Sequence, residues 1–104
     1  MKKALSLAFV ASVFAVTSAR ADDVQVAIDN FAFTPATITV KKGTKITFVN
    51  HDDLPHNIVE EKAAFKSKAL DTDESYSHVF DKAGEIVYFC GLHPQMKGKV
   101  IVTP

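Results

Sequence analysis

Apolar and polar residues alternate with a period of two through much of this chain, the pattern of strands that bury one face and wet the other. Val24, Val26 and Ile28 carry it first, Ile38 and Val40 repeat it, and Ile46 and Phe48 follow. Lys42-Gly43, between the second and third runs, predicts a hairpin turn. Tyr76, His78 and Phe80 share one parity ahead of the turn signal Asp81-Lys82-Ala83-Gly84, Ile86 to Phe89 is a nearly continuous apolar strand, and Val100 to Val102 forms the last. Between Glu60 and Glu74 the alternation lapses, which predicts a loop region with one helical turn around Ala63 to Lys66. About seven strands, with turn signals roughly every eight to twelve residues, predict an all-β fold: a Greek-key β-sandwich around one small core.

The amino terminus departs from that pattern. Lys2 and Lys3 are followed by an apolar run from Ala4 to Thr17, and Ala19-Arg20-Ala21 matches the small-x-small site of a signal peptidase, so cleavage is expected after Ala21. The run is too short for a bilayer, which needs about 20 residues, so no membrane span is expected. The expected organisation is therefore a signal peptide over 1–21 and one domain over 22–104, exported to the periplasm. Export changes the charge balance, because the formally neutral chain loses Lys2, Lys3 and Arg20 and keeps 9 Lys and Arg against 12 Asp and Glu, a net −3. A mildly acidic domain with no basic run is a poor match for nucleic acid. Small exported domains commonly rely on disulfides or metals, and the single cysteine cannot form an internal disulfide, so a metal is the staple to look for.

The cysteine lies in the stretch Cys90-Gly91-Leu92-His93-Pro94-Gln95-Met96, where thiol, imidazole and thioether recur three residues apart. Gly91, Pro94 and Gly98, with strand on either side, argue against a helix, so the stretch is expected to be a tight loop joining two strands at one end of the sandwich. A fourth donor must come from elsewhere, and His51, His56 and His78 are the candidates. His56 follows Pro55 directly after a strand and is preferred; His51, beside Asp52 and Asp53, reads as a solvated loop histidine, and His78 as a packed or edge residue. Structural zinc sites rarely use Met, and catalytic zinc keeps a position open for water. Two imidazoles, a thiolate and a weak axial thioether instead form the blue-copper electron-transfer arrangement.

Pro55-His56-Asn57, the CxxHPxM run from Cys90 to Met96, the segment SYSHVFDKAGEIVYFC and the closing GKVIV together resemble the cupredoxins, those of amicyanin type most closely, with the pseudoazurins and plastocyanins further off. The resemblance spans essentially the whole predicted domain. It implies one type 1 copper ion held by His56, Cys90, His93 and Met96, with the Asn57 side chain tying the two ligand segments together beside the thiolate. Gln95 stands where an aromatic residue is expected, which leaves methylamine dehydrogenase open as a partner.

With four protein donors filling the coordination set, no position is left for substrate, so a non-enzymatic, soluble, monomeric one-electron carrier is expected. Its partners would be a dehydrogenase or a c-type cytochrome, met transiently. Electrons are expected to pass through His93, inside an apolar patch of Leu92, Pro94, Leu54 and Pro55. Acidic clusters at Asp52-Asp53, Glu60-Glu61 and Asp71 to Glu74 would steer a basic partner. The alternative is a copper delivery or storage protein, although such proteins usually hold the metal in accessible, Met-rich sites and Met96 is the only methionine after Met1.

Overall fold

The computed structural model describes residues 23–104, so the expected signal peptide and its cleavage point lie outside the described residues. Eight strands follow in order: β1 (Asp23–Asp29), β2 (Ala32–Thr34), β3 (Thr37–Lys41), β4 (Thr44–Asn50), β5 (Val59–Glu60), β6 (Ser75–Phe80), β7 (Gly84–Cys90) and β8 (His93–Thr103). They build two four-stranded sheets, ordered β2-β1-β4-β6 and β3-β8-β7-β5. The all-β Greek-key sandwich is thus present, with two short strands beyond the six runs that alternation marks in the sequence. The extra pieces are the three-residue β2 and the two-residue β5, too short for an alternating pattern to register.

Each sheet contains one parallel pair, β1 with β4 and β3 with β8; the remaining neighbours are antiparallel. This topology corrects the expected hairpin at Lys42-Gly43. The strands on its two sides belong to different sheets, so the turn is a crossing between layers. Gly43 takes φ 94° there, a region that favours glycine, and its N–H donates to the Phe80 carbonyl at 2.7 Å, while the Lys42 N–H donates to the Thr103 carbonyl at 2.8 Å. The Asp81 to Gly84 turn likewise carries the chain from the first sheet to the second.

The helical turn expected around Ala63 to Lys66 is absent. Glu60 is buried, and one of its carboxylate oxygens accepts the N–H groups of Lys62 and Ala64 at 2.8 and 2.9 Å, closing a turn there with Ala63 at φ 63°. Ala63, in the left-handed region, breaks the right-handed run of dihedrals that a helix needs.

The core lies between the sheets. Val26, Ile28, Ile46 and Phe48 from the first sheet meet Tyr88, Val100 and Val102 from the second, all nearly or wholly excluded from solvent. Tyr88 is the hinge of this packing: its ring meets Phe33 and Phe48 edge-on, with centroids 4.7 and 5.3 Å away. Its cross-strand partner is Gly98, where a Cβ would overlap the Tyr88 ring, so glycine is what lets the aromatic lie flat across β8. His78 packs at the edge of the first sheet as expected, stacked on Phe65 with centroids 4.0 Å apart.

Candidate metal centre

The register of β7 and β8 builds one side of the site. Regular pairing runs from Gly84↔Val102 to Phe89↔Lys97, and the next pair is Cys90↔His93. One step along β7 thus corresponds to four along β8, and Pro94, Gln95 and Met96 are left outside the ladder. Residues three apart on an uninterrupted strand point to opposite faces. The slip removes that conflict, so that His93 lies directly opposite Cys90 while Met96 rejoins the buried parity of Gly98, Val100 and Val102. The expected loop is therefore a strand hairpin, with Gly91-Leu92 as its turn and a bulge carrying the rest.

His56 arrives from the segment that follows β4. β4 ends at Asn50, whose fully buried side chain organises the segment that follows: its amide donates to the carbonyls of Leu54 and Leu70 at 3.0 and 2.8 Å, and its oxygen accepts the Asp52 N–H at 2.9 Å. His56 then exchanges backbone hydrogen bonds with Leu70, N–H to carbonyl at 3.2 Å and the reverse at 2.7 Å. The result is an imidazole with no solvent exposure, pinned from both sides.

The Nδ1 atoms of His56 and His93 lie 3.7 and 3.8 Å from the Cys90 sulfur, and one ligand atom from each of the three residues falls within 4.8 Å of the others. Bonds of about 2.0 Å to nitrogen and about 2.3 Å to sulfur, opened to a trigonal angle, put N and S about 3.7 Å apart. The donor set thus fits a first-row ion in a trigonal His₂Cys plane. Cys90 is fully buried, His93 half-buried, and Met96 is 5% exposed on the core side of β8.

Asn57 lies between the two candidate ligand segments. Its side-chain oxygen accepts the Gly91 N–H at 2.6 Å, tying the His56 segment to the β7–β8 turn, and its own N–H points at the Cys90 sulfur at 3.4 Å, a donor for a thiolate. Little room is left around it, since a Cβ on Gly91 would press on Asn57 Oδ1 at 3.2 Å and Val59 Cγ2 at 3.3 Å. His51 is exposed, with Asp73 3.8 Å away, as a solvated histidine should be.

Two residues at the site were not legible as such. Asp52 reads in the sequence as surface charge, yet Oδ2 accepts the His56 Nε2–H at 2.8 Å and the Phe31 N–H at 2.9 Å, and Oδ1 accepts the Asn30 N–H at 2.6 Å. Desolvation pushes its carboxyl up, but these donors outweigh it and hold the group below the usual carboxylate range. Phe31 places its ring edge-on to both His56 and His93, at 5.2 and 4.9 Å between centroids. The available signal was the spacing Asn50-x-Asp52 directly after a strand, the mark of a side-chain-capped turn.

Residues 3–102 match the family model described as the cupredoxin-like domain, and the chain belongs to that family. Amicyanin from Paracoccus versutus is 37% identical over 87 residues, covering 79% of this chain and 66% of its own length, so the chain spans just under two thirds of that relative. Chloroplastic plastocyanin from Tetradesmus obliquus is 42% identical over 100 residues, covering 82% and 69% of the two chains. Among solved structures, the purple cupredoxin from Nitrosopumilus maritimus superposes with a TM-score of 0.73 at 30% identity, over 77% of this chain and 99% of that one. A reduced amicyanin variant reaches 0.74 at 30% identity, over 81% and 85%. The cofactor that this family and this donor set define is one type 1 copper ion.

Proposed function

We propose that this protein is an exported one-electron carrier, with His56, Cys90 and His93 as the trigonal copper ligands and Met96 as the axial one. Bound there, copper supplies a Cu(II)/Cu(I) couple. The observation that carries the reading is burial: His56 and Cys90 have no exposure and Met96 has 5%, so the donors are already gathered in a dry pocket and need not rearrange when charge changes. Delivery to another protein would instead call for donors within reach of solvent. Nor does the chemistry of an enzyme suit four donors that come from the protein itself.

The remaining assignments follow from this. Residues 1–21 are removed after Ala21 and the 22–104 domain works in the periplasm, a localisation in keeping with a run of amicyanin relatives. Electrons pass through the half-buried His93, and the exposed side chains that flank the ligands along the chain, Leu54, Pro55, Leu92 and Pro94, supply an apolar docking face for a dehydrogenase or c-type cytochrome. Such encounters are weak and small, under roughly 1,200 Å². Steering falls to fewer acids than the sequence suggests, because Asp52 and Glu60 are spent on internal hydrogen bonds; Asp53, Glu61, Asp71 and Asp73 are exposed and remain available.

The test is spectroscopic. The oxidised protein should be intensely blue, bleach reversibly with one electron equivalent and keep its copper against a moderate chelator; ready loss of the metal would favour delivery. Cys90→Ser should abolish the visible band while circular dichroism still reports a folded sandwich, and a variant that stayed blue would refute the ligand set.

A further inference from the structure

The turn between β1 and β2 is strained. Asp29 pairs with Ala32, leaving Asn30 and Phe31 as a two-residue loop with φ 53° and 59°, both in the left-handed region. Asn tolerates that conformation, whereas a bulky side chain rarely adopts it. A cheaper turn would place glycine where Phe31 stands. Strain of this kind persists only where the surroundings over-determine it, and it clusters at functional sites.

Here the surroundings are the metal centre. The Asp52 carboxylate takes the N–H of both strained residues and, through the oxygen it offers Phe31, the Nε2–H of His56. One group thus ties the turn to a copper ligand. The ring delivered by the turn lies at right angles to both ligand imidazoles, with interplanar angles of 87° and 84°, and those imidazoles are themselves 4.9 Å apart between centroids. Three rings close around the metal pocket, and Phe31 keeps 45% of its surface in solvent, so it is the outer wall of that cluster.

We propose that Asp52 and Phe31 form a clamp on the copper centre: Asp52 is a positioning residue that fixes the His56 ring and favours the oxidised ion, and Phe31 walls both imidazoles off from water. The proposal rests on the copper reading above. With Nε2–H committed to Asp52, the lone pair of His56 sits on Nδ1, the atom that faces the Cys90 sulfur. A carboxylate on the far side of the ring makes that nitrogen a better donor, which helps the higher charge state more than the lower. Phe31, edge-on to His93 as well, restricts rotation of the more exposed ligand.

Two variants separate this from ordinary packing. Asp52→Asn keeps the shape but removes the charge and sets an amide N–H₂ against one of the three donors. The ratio of Cu(II) to Cu(I) affinity should fall at least tenfold, read as a rise in reduction potential of about 59 mV for each tenfold. Phe31→Gly relieves the strained turn, so its copper-free thermal midpoint should not fall, while copper removal by a chelator should accelerate at least tenfold. In copper-free protein the His56 Nε2–H should exchange slowly with solvent and lose that protection in Asp52→Asn. If wild type is blue and both variants keep its potential and its chelation rate, the clamp is refuted and the carrier reading stands. If wild type never becomes blue, the carrier reading itself has failed. Should Asp52→Asn unfold, the Phe31→Gly chelation rate decides alone.

Discussion

Tyr88 has no solvent exposure, and its hydroxyl has no hydrogen-bond partner among the described residues. Desolvation pushes that phenol well above its ordinary value of 10.0. The folded state holds the neutral form, so its contribution is intact below about pH 10 and is lost as pH rises beyond it, by up to about 1.4 kcal/mol per unit, because only the unfolded chain releases the proton. Tyr88→Phe should flatten this alkaline decline in denaturant melts, leaving the smaller share of half-buried Tyr76, whose pKa is also raised. At neutral pH it should stabilise by about 1 kcal/mol, since an orphaned buried hydroxyl costs roughly 1–3 kcal/mol. Met96 answers to a different measurement. As the proposed axial donor it would tune the metal more than hold it, so Met96→Leu should stay blue and raise the potential, by about 59 mV if the Cu(II) to Cu(I) affinity ratio changes tenfold. A lowered potential would count against the axial role.

The β7–β8 hairpin depends on two glycines for different reasons. Gly91 lets Asn57 reach the turn, whereas Gly98 makes room for Tyr88. Gly98→Ala should cost about 1–3 kcal/mol by overpacking, measured as a lower chemical-denaturation midpoint, and the added methyl should be better tolerated with Tyr88→Leu than alone. Long strands were legible from alternation, as in β4, where Thr44, Ile46, Phe48 and Asn50 are all buried. β2 and β5 were not, because three and two residues carry no period. The failed helical turn has an equally local cause: Ala, Ala and Lys favour helix, but the turn closed on the buried Glu60 carboxylate puts Ala63 in the left-handed region, which no right-handed helix contains.

For the molecule as a whole, the core and the metal are separable contributions. Among the described residues fourteen buried apolar side chains form the core, and of these Cys90 and Met96 belong to the proposed site. Copper-free protein should therefore melt cooperatively as a folded sandwich. Added copper should raise its stability by about 2.7 kcal/mol at a free concentration one hundred times the dissociation constant, checked by thermal melts across a copper titration. A copper-free chain that showed no cooperative transition would mean that the sheets depend on the metal.

By themselves, the residues determined the all-β class and the strand parities, and pointed to the proposed donors. Alternation is a local property, and a Cys, His and Met set in one heptapeptide is chemically specific wherever it folds. His56 was preferred over His51 and His78 from its place after a strand and a proline, and the fold brings its ring to the thiol while leaving the others on the surface or packed on Phe65. What the tertiary structure alone decided was sheet membership, the slip that turns His93 and Met96 inward, and the attachment of Asp52 and Phe31 to the site. Phe31 reaches the site through contacts more than twenty positions away, the slip depends on register within a ladder, and Asp52, only four positions from His56, meets its ring because the buried Asn50 side chain folds the turn between them; none of these is written in the spacing of a single chain segment.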